Sequence, residues 1–383
     1  MLLFALVHIA RGADVVVEHA GSPRFTAWDE SEPLFDESIR RYDIELSPLS
    51  EQKLRDHPYE WVPGALIVDG MRFEPVGVRI KGQNSFQPYD EKPSLKVKLD
   101  HFVPGMRLRG LEELTFQNMD NDATLMHERV AYRFFREAGF AAARAAHSEI
   151  WINNAYRGLY THVESVDENL LAQYFADPSG SLFELWDVEL TDYYVPFFQL
   201  EEGPDDRTAL QGLADALELG GSRAIDAADP YTDVQQFARY VAACAVVGQF
   251  DSYPWRTPAD DTHLYVDPLD GRIRWMPHGI DETFYSPDYP ITDPPGFMAA
   301  ACMNDPGCAQ SYADQIWELQ ALAEERGLLA YAVRVRGQTE AYIPLDPFKS
   351  YTDADVYGNR DAMLWFIADR RAQLGVLLGD FPD

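Results

Sequence analysis

The sequence predicts an α+β chain because its apolar period changes part-way along. Up to about Val166 apolar residues recur mainly at every second position, as in half-buried strands, and beyond Asp167 they recur at helical spacing. Composition suits a folded chain: 383 residues, 46% hydrophobic and 13% aromatic, are enough for one large two-part domain or two ordinary ones.

Residues 1–24 begin MLLFALVHIARGADVVV, a short apolar run followed by small residues. This reads as a truncated signal peptide lacking its basic start, or as a first buried strand. Within Leu34–Glu60, RYDIELSP is a strand and a short acidic helix follows. ALIVDGMRFEPVGVRI carries two β-branched and aromatic runs around Asp69-Gly70, a strong hairpin signal. SLKVKL alternates, with Leu95, Val97 and Leu99 facing a core and Ser94, Lys96 and Lys98 facing away from it. LEELTFQNM is a further strand. TLMHERVAYRFFREAGF is an amphipathic helix with Leu125, Val130, Phe134 and Phe135 on its apolar side and Gly139 as its stop. SEIWIN and RGLYTHVES form strands joined at Asn153-Asn154. Residues 25–166 are thus expected to form a curled antiparallel sheet with one helix across it.

Residues 167–383 are expected to be mostly helical. Periodicity marks Glu168–Phe175, Asp206–Leu219, Asp233–Phe250, Asp314–Arg326 and Asp361–Leu378, with a hinge at Glu164–Asn169. One hairpin interrupts them, THLYVD and RIRWMP across Asp270-Gly271.

A net charge of −31 repels polyanions, so nucleic acid and anionic lipid surfaces are poor partners. No run approaches the ~20 apolar residues of a membrane-spanning helix. Cys302 and Cys308 flank MNDPG and suit a small disulfide, which fits an extracytoplasmic location; Cys244 reads as a core residue. With no histidine partners in sequence, the two cysteines make a poor zinc site.

The chemistry concentrates around the hairpin. Asp251 closes an apolar helix, Asp261 opens the first strand, and Asp281 follows the second, so the carboxylates converge at one end. Such a set suits metal-assisted phosphoryl transfer, with Asp251 orienting the attacking hydroxyl and Asp261 and Asp281 holding Mg²⁺. The plain alternative is chance, since 63 residues are Asp or Glu. Upstream, KGQNS offers Lys81, the backbone around Gly82, and the polar side chains of Asn84 and Ser85 to phosphate oxygens, although it also reads as a simple turn. No G-x-G-x-x-G or P-loop pattern is present. Lys96 on a strand and Glu128 on the next helix have the order of a phosphate-anchoring lysine–glutamate pair. Lys92 and Lys98 compete with Lys96 for that role.

Six collinear blocks, LFDESIRRYDIELSP, VGVRIKGQNSF, KPSLKVKLD, NMDNDATLMHERVAYRFFREAGF, WINNAYRGLYTHVESVDENLL and the acidic hairpin, resemble the CotH kinase family, atypical secreted kinases named after spore-coat protein H. The resemblance implies an atypical protein-kinase-like two-lobed fold, ATP with Mg²⁺ or Mn²⁺, and a surface, coat or secreted protein as substrate. It places Glu164 and Asp167 at the lobe crossover, where backbone would meet adenine, and a similar Lys/Arg-Gly-Asn-Ser-Ser loop at KGQNS. His162 there reads as a packed histidine. The chain departs from the family twice: Asp260-Asp261 stands for a His-Asn pair, and His278-Gly279-Ile280-Asp281 stands for Trp-Asp-x-Asp. Asp261 keeps an oxygen ligand, Gly279 removes a carboxylate, and Asp281 is retained. His278 reads as an aromatic-sized spacer or a substituted ligand, and His263 is a candidate to join the site. Alternative readings are a catalytically weak structural or binding relative, and AMP or amino-acid transfer on the same fold. A calcium-binding protein and a two-carboxylate glycosidase rank lower, for want of an EF-hand loop or a matching sugar-binding block.

Overall fold

The structure, a computed structural model, describes residues 31–382, so the expected leader segment lies outside the described residues. The first part of the chain contains β1 (Arg40–Leu46), α1 (Pro48–Asp56), β2 (Val62–Val68), β3 (Met71–Lys81), β4 (Ser94–Lys98), β5 (Glu113–Gln117), α2 (His127–Glu137), β6 (Ala145–Ile152) and β7 (Ala155–Val163). Both expected tight hairpins are present: Val68 faces Met71 across Asp69-Gly70, and Ile152 faces Ala155 across Asn153-Asn154. The four turn residues all have positive φ, the conformation a two-residue hairpin demands and Gly, Asn and Asp tolerate best.

The expected curled antiparallel sheet is a closed barrel in the order β1-β2-β3-β4-β5-β7-β6. β1 runs parallel to β6, with Tyr42 opposite Ile150, and this pairing closes the ring. Every strand turns its alternate apolar residues inward, among them Ile44, Val78, Leu95, Val97, Phe116 and Ile150, all buried in one cluster. Closure leaves no barrel edge unpaired.

α2 starts at His127, later than the periodicity suggests, because the Asp122 carboxylate takes over the start. It accepts the N–H groups of Thr124, Leu125, Met126 and His127 at 2.7–3.0 Å, and Leu125 sits at φ +58°. The Met126 and His127 amides are among those a helix leaves unpaired at its start, and the Thr124 and Leu125 amides belong to the turn that leads into it. The helix does not lie across the barrel core. Val130, Phe134 and Phe135 join the second core, formed mainly by residues after 167.

That second part contains α3 (Glu168–Tyr174), β8 (Ser181–Leu185), β9 (Gln199–Glu202), α4 (Thr208–Leu217), α5 (Ser222–Ala228), α6 (Val234–Val247), β10 (Thr262–Asp267), β11 (Arg272–Pro277), α7 (Phe297–Met303), α8 (Pro306–Glu325), α9 (Leu328–Thr339) and α10 (Asp353–Leu378). It is less purely helical than expected, since an antiparallel sheet of order β11-β10-β8-β9 runs through it. β8 and β9 are five and four residues long, too short for a clear period, and α5 and α7 have seven each. α6, rich in Ala and Val, is buried on nearly every side beside β11 and α8. Its last carbonyls are met by Arg370 of α10, which donates to Ala245 at 2.6 Å and Val246 at 3.1 Å. Cys302 and Cys308 are bridged between α7 and α8, and Cys244 is buried in α6. Among the described residues no helix is long and apolar enough to cross a membrane.

Lys92, one candidate for the phosphate-contacting lysine, is structural. Its ammonium is 1% exposed and donates to Asp346 at 2.7 Å, while Asp346 also accepts from the Leu159 amide at 3.0 Å. Gly158 makes room, since a side chain there would overlap the Asp346 carboxylate. Removing one partner of such a pair leaves a buried charge, at a cost of about 3–5 kcal/mol. Lys92→Ala is therefore expected to lower unfolding stability in urea by that amount; a loss below about 1 kcal/mol would contradict the buried-pair account.

Candidate active site

The sheet register builds one wall of the site. On β10, His263 lies opposite Glu184 of β8 and opposite Met276 of β11, and Thr262 faces Pro277. Asp261 precedes β10, and His278-Gly279-Ile280-Asp281 follows β11, so the open end of the hairpin gathers carboxylates and imidazoles. The end of β3 and the start of α2 supply the opposite wall. A cavity of about 360 Å³ between them is lined by Lys81, Gly82, Asn84, Ser85, Lys96, Glu128, Glu164, Asp251, Asp261 and Asp281, ten of the candidates named from sequence, while the competing Lys92 and Lys98 do not line it. It is also lined by Asn118, Glu184, His263 and His278.

Two hydrogen bonds lock this arrangement. His127 Nδ1 donates to the Asp281 carbonyl at 2.7 Å, tying the first turn of α2 to the hairpin end. Gln249 Nε2 donates to the Gly279 carbonyl at 3.1 Å, tying the segment just after α6 to the same place. Neither residue was singled out from sequence. His127 lies inside the quoted block NMDNDATLMHE, but its role depends on a contact 154 positions away.

The lysine–glutamate expectation changes partner. Lys96 is bonded to Glu113 at 2.7 Å, not to Glu128. β4 and β5 are antiparallel with Lys98 opposite Glu113, so Lys96 is the diagonal same-face neighbour within reach of a long side chain. The lysine whose charge acts on Glu128 is Lys81 at the end of β3. Burial lowers the Lys81 pKa, Lys96 lowers it further, and Glu128, Glu184 and Asp281 oppose both. Glu164 lines the cavity with its side chain committed: Oε2 accepts from Arg144 Nε at 2.9 Å and Oε1 from Gln173 at 2.8 Å.

Glu128 is 2% exposed, and its Oε2 has no hydrogen-bond partner. Burial, then the Asp281 charge, pushes its pKa well up. Burial followed by repulsion from Asp281 and Asp251 does the same to Asp261. Burial raises Asp281 to about 7, with Glu282 and Asp122 adding to the rise and its own backbone and Lys81 opposing it. Three carboxyl groups therefore share a pocket short of positive charge. Asp251 is different: its Oδ1 accepts from Arg256 at 2.7 Å, and the same guanidinium nitrogen reaches Asp260 at 3.0 Å. Glu184 would be raised by burial, but the hydrogen bond and charge of His278 hold it below the usual carboxylate range.

A profile of the family described as CotH kinase protein matches residues 78–374 of this 383-residue chain. The chain belongs to the CotH kinase family. A search of curated proteins finds no match. In this member of the CotH kinase family the two departures are neighbours. Gly279 has φ +55°, and a Cβ there would overlap the Asp261 carboxylate. Asp261 itself has φ +46°, a left-handed conformation that Asp tolerates better than most residues. The glycine that removes a carboxylate from the hairpin end thus opens the space in which the Asp261 carboxylate stands.

Gly279→Ala is expected to cost about 1–3 kcal/mol in a urea melt from strain alone, with overlap adding to it. The penalty should shrink in an Asp261→Ala background; equal penalties in both backgrounds would contradict the packing. In chelator-treated protein the folded state keeps the Asp281 proton up to about 7, whereas an unfolded Asp releases it near ~4. The folded form binds the extra proton between those values, so the Asp281 contribution to stability falls as pH rises from about 4 to about 7, opposite in sign to that of His147, His162 and His263, whose pKa values burial lowers. Asp281→Asn should remove that contribution from the slope of stability against pH in thermal melts, and an unchanged slope would contradict the assignment.

Proposed function

We propose that this CotH kinase family member is an ATP- and Mg²⁺-dependent kinase that phosphorylates Ser or Thr of a surface, coat or secreted protein. The observation that carries the reading is the single cavity on which Asp251, Asp261, Asp281, Lys81 and Glu128 converge. In this reading the barrel and the sheet-and-helix part act as the two lobes of a kinase-like fold, with the cavity between them.

The donors fit the cofactor. Asp261 and Asp281 offer hard carboxylate oxygens, the ligand class Mg²⁺ takes, and their raised pKa values mark negative charge with too little compensation. Mn²⁺ takes the same ligands. When bound, Mg²⁺ with ATP would supply the transferable phosphoryl group and neutralise charge developing on it. Lys81, held near Glu128, would bind phosphate oxygens, and the backbone at Gly82–Ser85 would close over them. Lys96 would add charge from a fixed ion pair. The Glu164 segment would meet the base through backbone, since its carboxylate is occupied. Asp251 would accept a hydrogen bond from the acceptor hydroxyl and orient it, with Arg256 holding the carboxylate in place. The Cys302–Cys308 bridge supports an oxidising, extracytoplasmic setting.

Arg256 also favours a second reading. A candidate base already held by a cation suits a catalytically weak relative that binds nucleotide or protein as part of an assembly. Autophosphorylation and transfer to casein with labelled ATP separate the two. Asp251→Ala is expected to keep nucleotide binding and lose at least ~100-fold in transfer, while Asp281→Ala and Lys81→Ala lose binding. Unchanged transfer in Asp251→Ala would remove it from the catalytic role. Absent transfer with intact binding in the wild type would move the weak-relative reading ahead.

A further inference from the structure

The same cavity carries a second cluster that the proposed kinase chemistry leaves unused. Glu184, His263 and His278 each offer a ligand atom, and these atoms all lie within 4.8 Å of one another. The two imidazoles stack at 3.9 Å between centroids, and His278 Nε2 is 3.2 Å from Glu184 Oε1. His263 is 3% exposed, and its Nδ1 has no hydrogen-bond partner; the Nδ1 of His278 is likewise buried and unpartnered. Orphaned buried ring nitrogens are costly, and two stacked rings with idle nitrogens beside a carboxylate are a poor design for packing alone.

We propose that Glu184, His263 and His278 form a second cation site, for a zinc-class divalent transition metal, distinct from the carboxylate set at Asp261 and Asp281. Two imidazoles and one carboxylate are a donor set that Zn²⁺ and its neighbours accept, and three protein ligands leave a position open toward the cavity. The oxygen-only set of Asp261 and Asp281 suits Mg²⁺ instead, so the two groups select different ions by ligand softness. The site is built by register: His263 and Glu184 are direct cross-strand partners on β10 and β8, and His278 leaves β11 beside them. It does not rest on the nucleotide reading, and a chain that never bound ATP would still possess it. A metal held there would give the cleft a second charge-compensating ion and a means of control by transition-metal supply.

Co²⁺ is the probe, titrated into the full purified chain and followed by visible absorption, with Zn²⁺ as competitor. The wild type is expected to develop a d–d band saturating at one equivalent, and Zn²⁺ should displace it. Asp281→Ala should retain the band, because the oxygen set is separate. His278→Phe, which keeps a ring against His263, and Glu184→Gln should each weaken Co²⁺ binding at least tenfold. Thermal melts provide a second measurement: Zn²⁺ should raise the wild-type melting temperature, and that rise should shrink in His278→Phe and persist in Asp281→Ala. No band in the wild type, a band unchanged in both folded variants, or loss of the band in Asp281→Ala would each overturn the proposal.

Discussion

Glu128 and Asp261 are each repelled by Asp281 across a cavity in which Lys81 and Lys96 are the nearby lysines, and Lys96 is already spent on Glu113. Such a gathering of acid is unfavourable by itself and persists only because the surroundings over-determine it. The Asp281 segment is fixed by His127, Gly279 is fixed by Gln249, and the amides ahead of and opening α2 are fixed by Asp122. The first two ties join the start of α2 and the segment after α6 to the hairpin end, and the third holds the start of α2 in place. A cation is the natural complement to such a pocket, and the positive φ values at Asp261, Gly279, Phe284 and Ser286 cluster on the same segments.

The path from sequence to this arrangement passes through α2. Its apolar face belongs to the second core while its first turn faces the cavity, so the helix carries Glu128 from one part of the chain into contact with the other. Arg360 of α10 reinforces it by donating to the Thr124 carbonyl at 2.8 Å, from a fully buried position. The long C-terminal helix therefore braces both the start of α2 and, through Arg370, the end of α6, from which Asp251 follows.

Local patterns were legible in the sequence where they are decided locally. Asp69-Gly70 and Asn153-Asn154 specify their hairpins, SLKVKL specifies its faces, and Gly139 ends its helix, whereas the helix expected to run to Phe250 stops at Val247 before Gly248. The candidate residues were legible as a set because the family spacing and the acidic hairpin mark them, and all ten line one cavity. Long-range pairing was not legible. Barrel closure depends on β1 meeting β6 in parallel, about a hundred residues on, and nothing local records it. For the same reason Lys96 was matched to Glu128, when a cross-strand neighbour was nearer. Glu184 was missed because it sits on a five-residue strand, and its importance comes only from its register against His263.

The central claim is that this pocket binds a nucleotide together with a divalent cation. Isothermal titration of ATP into the purified chain, with and without Mg²⁺ or Mn²⁺, tests it most directly. The account predicts saturable binding that requires the metal. Absence of binding with either metal would contradict it and leave the acidic cleft a binding or structural surface.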